Sequence, residues 1–143
     1  MKKLICLSSV CVMLMFFASC KKDSNYSKSI IGTWELKQYR TGSIPGSTSP
    51  KGNGNLLKFT ASKYEIYKDN VLSKSGVYTL IPDTSVETNV CLVLSNKEYK
   101  SRIVFDGKDD PTKTFIKIAG NELSLASGCF ANDGGSIFVY GRQ

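Results

Sequence analysis

Asn55-Leu-Leu-Lys-Phe-Thr-Ala-Ser-Lys-Tyr-Glu-Ile-Tyr-Lys-Asp-Asn-Val-Leu-Ser-Lys-Ser-Gly-Val-Tyr-Thr-Leu-Ile81 is the stretch that decides the fold. In an extended chain alternate side chains share a face. Leu57 and Phe59 therefore fall together, as do Tyr64 and Ile66, and Tyr78 and Leu80, while Lys58, Glu65 and Thr79 fall opposite. Three consecutive strands, near 55–60, 63–68 and 75–81, follow from that period of two. Asp69-Asn70 stands where a tight hairpin is needed, and both residue types tolerate positive φ.

The same rhythm extends in both directions. Short runs rich in Val, Ile, Tyr and Phe predict further strands near 31–41, 90–95, 98–105, 113–118, 122–126 and 136–142. Ile116 pairs in phase with Ile118, and Leu123 with Leu125, while Asn96-Lys97 and Gly120-Asn121 mark hairpins. No run of eleven or more residues keeps a helical apolar period, a possible turn at 26–31 apart. The fold class is all-β, and nine short strands joined by hairpins fit an up-and-down antiparallel barrel or a sandwich. One connection is long: residues 41–54 hold four Gly, two Pro and a single large apolar side chain, Ile44. A loop of that kind is either a lid over one end of the domain or a passive flexible connection.

The N-terminus carries an address. Met1-Lys2-Lys3 is a short basic region, followed by the uncharged, mostly apolar run Leu4–Ala18. That run is too short for an ordinary spanning helix and fits a signal peptide. It ends in Phe17-Ala18-Ser19-Cys20, which resembles the lipobox of bacterial lipoproteins, with Phe17 in place of the usual Leu. The resemblance implies a signal peptide over 1–19 and a lipid-modified Cys20 that anchors the chain to a membrane. Lys21-Lys22-Asp23 resembles the export signal of Bacteroidetes-type surface lipoproteins, with Ser24 where a second acidic residue is usual. The expected location is the cell envelope, lipid-anchored in the outer membrane, on its periplasmic or surface face. Residues 20–29 read as a polar tether, and 30–143 as one domain.

Ile30-Ile31-Gly32-Thr33-Trp34-Glu35-Leu36 opens the first strand with Gly-x-Trp. With the long first loop and the hairpin meander behind it, this segment resembles the lipocalin superfamily, and the mature chain resembles the lipocalin-like domain lipoproteins of Bacteroidetes. The resemblance implies a barrel of eight or nine strands. It also implies a structural role for Trp34 as a plug at one end, with Arg142 stacked on its indole. A Thr-Asp-Tyr triplet of the family is missing.

The chain has 143 residues, 19 Lys+Arg, 12 Asp+Glu and no His. The absence of His removes Ser-His-Asp and Cys-His nucleophiles and His-ligated zinc. Without His a Ser nucleophile needs Lys, and the one Ser-x-x-Lys, Ser19 to Lys22, straddles the cleavage junction. Asp106, Asp109 and Asp110 admit a weak calcium site or a plain hairpin connection, and their spacing is not that of an EF-hand. No metal, no cofactor and no enzymatic activity are expected.

Loss of 1–19 takes Lys2 and Lys3, leaving 17 basic against 12 acidic residues, a net +5. Lys37, Arg40, Lys58, Lys63, Lys68, Lys74, Lys97, Lys100 and Arg102 are dispersed among apolar positions, the pattern of a solvated outer face rather than a nucleic-acid site. Cys6 and Cys11 leave with the signal segment, and Cys91 and Cys129 remain in an oxidising compartment. A disulfide is one reading; a buried Cys91 in an apolar strand beside a free loop thiol is the other. Many lipocalins tie a mid-chain strand to a C-terminal segment, so the resemblance favours the bridge.

The leading expectation is a small apolar or amphipathic ligand inside the barrel, touching Leu57, Phe59, Tyr64, Ile66, Tyr78 and Leu80, with Ile44 as a cap. Tyr64 and Tyr78 each offer an aromatic wall and a hydroxyl for a polar head. The alternative is a filled interior, with the outer surface acting as an interaction or scaffold module of the envelope.

Overall fold

The computed structural model describes residues 29–94 and 98–143. The predicted signal peptide, Cys20, most of the tether and the Asn96-Lys97 hairpin lie outside the described residues. Within them the chain forms β1 (Gly32–Thr41), β2 (Ser47–Thr48), β3 (Leu56–Phe59), β4 (Lys63–Lys68), β5 (Val71–Pro82), α1 (Val86–Val90), β6 (Ser101–Phe105), β7 (Thr114–Ala119), β8 (Glu122–Ser127) and β9 (Ser136–Arg142). All strand pairs are antiparallel, and β1 also pairs with β9. The result is a closed eight-stranded up-and-down barrel in which β2 is an extra strand on β1.

Alternation builds the interior. Trp34, Leu57 and Ile66 stand opposite one another in register, as do Gly32, Phe59 and Tyr64. Trp34, Leu57, Phe59, Tyr64, Ile103, Ile116 and Leu123 form a buried cluster, with Ile66, Tyr78, Phe105, Leu125 and Tyr140 packed against it. The outer face also holds apolar residues. Phe115, Ala126 and Ile137 follow one another across β7, β8 and β9 on the opposite face from Ile116 and Leu125. Val86 and Val90 of α1, with Tyr99 and Phe130, cover that row.

One end of the barrel is sealed. Trp34 donates its indole N–H to the Ile30 carbonyl (2.8 Å), and the Arg142 guanidinium lies 4.1 Å over the indole ring. The same guanidinium donates to the carbonyls of Ile31 (2.9 Å) and Ser29 (2.7 Å). Gly32 explains the first half of Gly-x-Trp. Its φ is +145°, and a Cβ there would come within 2.7 Å of an Arg142 nitrogen.

Three expectations change. Of the run at 90–95, the described residues 90–94 form no strand: Val90 ends α1, and Cys91 takes a left-handed conformation with φ 54°. That half-turn brings Cys91 to Cys129, and the two are bridged with Cα atoms 5.0 Å apart. The third strand begins at Val71 rather than 75, because a bulge between Ile66 and Tyr67 interrupts its alternation. Residues 41–54 are neither lid nor loose connection. β2 pairs with β1, Ser49 N–H donates to Lys37 O (2.7 Å), and the Asn53 amide donates to Leu36 O (2.8 Å).

Candidate functional site

The bulge in β4–β5 falls at Ser73, so it resets the faces of Val71 and Leu72 and leaves Lys74 in phase with Gly76, Tyr78 and Leu80. Lys74 stands directly opposite Ile66 and in phase with Tyr78 and Leu80, so it shares the inward face, although its charge reads as part of a solvated outer face. Its ammonium lies 3.2 Å from Asp106 Oδ2. Tyr64 donates its hydroxyl to the same carboxylate oxygen (2.9 Å), and Val77 N–H donates to Oδ1 (3.3 Å). Gly76 makes room for this carboxylate, since a Cβ there would lie 1.8 Å from Oδ1. Asp106 and Gly107 both have positive φ (57° and 65°), which turns the chain sharply as it leaves β6.

Electrostatics follow from these contacts. The Tyr64 hydrogen bond, reinforced by Lys74, holds the Asp106 carboxyl below its usual range. Hydrogen bonds to Tyr64 and then Asp106 push the Lys74 ammonium up, and burial raises the Tyr64 phenol. At neutral pH the cluster is a neutral phenol, a carboxylate and an ammonium.

A cleft of about 270 Å³ opens here, between β6 and the connection 106–113. Inward-facing Lys74, Ile103, Phe105 and Thr114 line it, with Asp106, Lys108, Asp109 and Lys113 from the connection. The cleft exists because β6 and β7 pair only over Ser101–Ile103 and Thr114–Ile116, so the ladder splays beyond Ile103. Arg102 lines it as well and binds Asp109, and Asp83 binds both Arg102 (3.5 Å) and Lys113 (2.9 Å), which fixes the connection to β6. Two grooves of about 310 and 460 Å³ flank β1 as well, the larger lined by Glu35, Lys37, Lys51 and Arg142. No family model, curated protein or solved structure matches this chain.

The predicted contact residues divide. Leu57, Phe59 and Tyr64 are buried in the sealed half, with the Tyr64 hydroxyl alone reaching the Asp106–Lys74 pair. Ile66 and Tyr78 pack against that core, and the Tyr78 hydroxyl donates to Thr60 O (2.8 Å) in the β3–β4 turn, away from the cleft. Leu80 is 41% exposed rather than enclosed. β4 begins opposite Val77, so Leu80 has a strand neighbour only on the β6 side. Ile44 is 67% exposed and caps nothing, because its loop is held against β1. The three aspartates also separate: Asp106 goes to Tyr64 and Lys74, Asp109 to Arg102, and Asp110 accepts from Thr112 N–H (2.7 Å).

Further inward positions come from β9, where no alternation of apolar with polar residues is visible. Phe138 stands opposite Leu125 and stacks on Tyr39, and Tyr140 stands opposite Leu123 and Leu36. Burial pushes the Tyr140 phenol up to about 12. Ile137 and Val139 make β9 apolar on both faces, which hides the alternation that would have revealed Phe138 and Tyr140.

Proposed function

We propose that this chain is a lipid-anchored envelope protein with a lipocalin-like barrel, and that the barrel takes one small apolar or amphipathic molecule at its open end. The observation that carries this reading is the gradient along the interior. Trp34, Leu57, Phe59, Tyr64 and Leu123 are 0–3% exposed in the sealed half. Toward the ends where β1 stops and β9 begins, Leu125 and Phe138 are half-buried and Tyr39 is 39% exposed, all on the inward face. Apolar side chains left partly open inside a concavity are what a ligand of matching shape covers. The cleft beside Lys74, about 270 Å³, lies just below the roughly 300–1,000 Å³ range of such sites, so the guest is small.

The anchoring part rests on Ala18-Ser19-Cys20 after the apolar run. Two measurements test the proposal separately. Cys20→Ser should move the protein from the membrane fraction to the soluble secreted fraction; unchanged sedimentation with membranes refutes the anchor. Native mass spectrometry of protein purified from its own envelope should show a one-to-one adduct of a small molecule. Bare protein throughout favours the filled-core scaffold, for which the burial of Leu57, Phe59 and Tyr64 is the supporting observation.

A further inference from the structure

We infer that the groove of about 460 Å³ beside β1 is a separate site, on the outer wall of the barrel, for a short peptide zwitterion. Its ammonium meets Glu35 and its carboxylate meets Lys51. This goes beyond the reading of the barrel interior and does not depend on it.

Trp34 faces inward, so Glu35 faces out, where a carboxylate is ordinarily solvated. Here it is only 6% exposed. A carboxylate withdrawn from water needs a cation or several donors. Glu35 receives one hydrogen bond, from the Gln143 amide to Oε2 (2.9 Å), and forms no ion pair among the described residues. No buried side-chain oxygen among them is left without a partner, so Oε1 opens on the groove that Glu35 lines.

The cations that share the groove do not neutralise this carboxylate. Lys37 pairs with Glu122 (2.6 Å). The Arg142 guanidinium is spent on the Ile31 and Ser29 carbonyls and the Trp34 ring. Lys51 is exposed and has no ion-pair partner among the described residues. Its backbone is fixed on both sides. Ser49 N–H donates to Lys37 O (2.7 Å), and the Asn53 amide donates to Pro50 O (2.6 Å) and Leu36 O (2.8 Å). The groove therefore presents one free carboxylate oxygen and one free ammonium on an ordered frame. A zwitterion satisfies both, whereas a lone cation leaves Lys51 unpaired and a lone anion leaves Glu35 unpaired. Thr48, Ser49 and Asn121 also line the groove and supply hydrogen-bonding groups for a peptide amide.

The test is NMR titration of the mature chain at about pH 6.5, where a peptide amine is protonated. The probes are glycylglycine, its N-acetyl derivative, which lacks the cation, and its C-terminal amide, which lacks the anion. Glycylglycine should give saturable shifts at Glu35, Lys51 and Gln143. Each derivative should bind at least about tenfold more weakly, the effect of losing one charge-assisted hydrogen bond. Lys51→Gln should bind glycylglycine and its amide equally, and Glu35→Gln should bind glycylglycine and its N-acetyl derivative equally. Lys51 is exposed, so Lys51→Gln decides the matter even where Glu35→Gln does not fold. No saturable shift at these residues with glycylglycine, equal binding of all three probes by the native chain, or an undiminished preference over the amide in Lys51→Gln overturns the assignment. Either result leaves the reading of the barrel interior as it stands.

Discussion

Replacing Arg142 by alanine tests the seal that closes the barrel. The native guanidinium makes three contacts: hydrogen bonds to Ile31 O at 2.9 Å and Ser29 O at 2.7 Å, and a stack 4.1 Å above the Trp34 ring. Both hydrogen bonds are solvent-accessible, so each is set near the lower end for its type, about 0.5–1 kcal/mol. The cation–π stack contributes roughly 0.5–1 kcal/mol at such a site. The expected loss is about 1.5–3 kcal/mol. Arg142→Lys keeps the charge but cannot reach two carbonyls and cover the ring together, so about half the loss should remain. Urea unfolding followed by fluorescence reads this directly, because Trp34 is the only tryptophan and sits beneath the substituted side chain. A shift no larger than that of the exposed control Lys100→Ala would refute the reasoning.

Other perturbations have equally definite outcomes. Removing the Cys91–Cys129 bridge with a double alanine variant should cost up to about 4 kcal/mol on the loop-entropy model for a separation of 38 residues. Hydrogen exchange should rise in α1 more than in the barrel strands; uniform loosening would contradict the view of this segment as an outer cover. Asp83 titrates at about 2, lowered by hydrogen bonds from Ser85 and then Lys113. Its folded value lies below its unfolded one, so its contribution of about 2 kcal/mol is present above pH 4 and lost as pH falls from about 4 through 2. Asp83→Asn should flatten that acid limb in a pH series of unfolding midpoints, and an unaltered limb counts against it. Tyr64→Ala should cost about 3–5 kcal/mol as a buried aromatic truncation, and Tyr64→Phe about 1 kcal/mol. A stable Tyr64→Ala variant would return Tyr64 to the ligand contacts.

The alternation of Leu57 with Phe59 and of Tyr64 with Ile66 was legible because those strands are regular and one-sided, and Asp69-Asn70 turns the chain from β4 into β5 with φ of 50° and 65°. Lys74 was not legible as an interior residue. It keeps the phase of Tyr78 and Leu80, but a lysine between two serines looks like any solvated position. Val90-Cys91-Leu92-Val93-Leu94 has strand composition, but tertiary packing overrides it: Val90 serves the outer cover while Val93 is 89% exposed. Tyr78 shows a different limit. Periodicity gave its side of the strand correctly, but only the three-dimensional arrangement shows its hydroxyl bonded to Thr60 O at the end away from the cleft.

The central claim is that the sealed half of the barrel is core and a guest enters beside Lys74. Backbone amide shift mapping by NMR with dodecanoate tests it most directly. Saturable shifts should concentrate at Lys74, Ile103, Phe105, Asp106 and Thr114, with Leu57, Phe59 and Tyr78 little changed. Shifts centred on Leu57, Phe59 and Tyr78, or none at saturating dodecanoate, would contradict it.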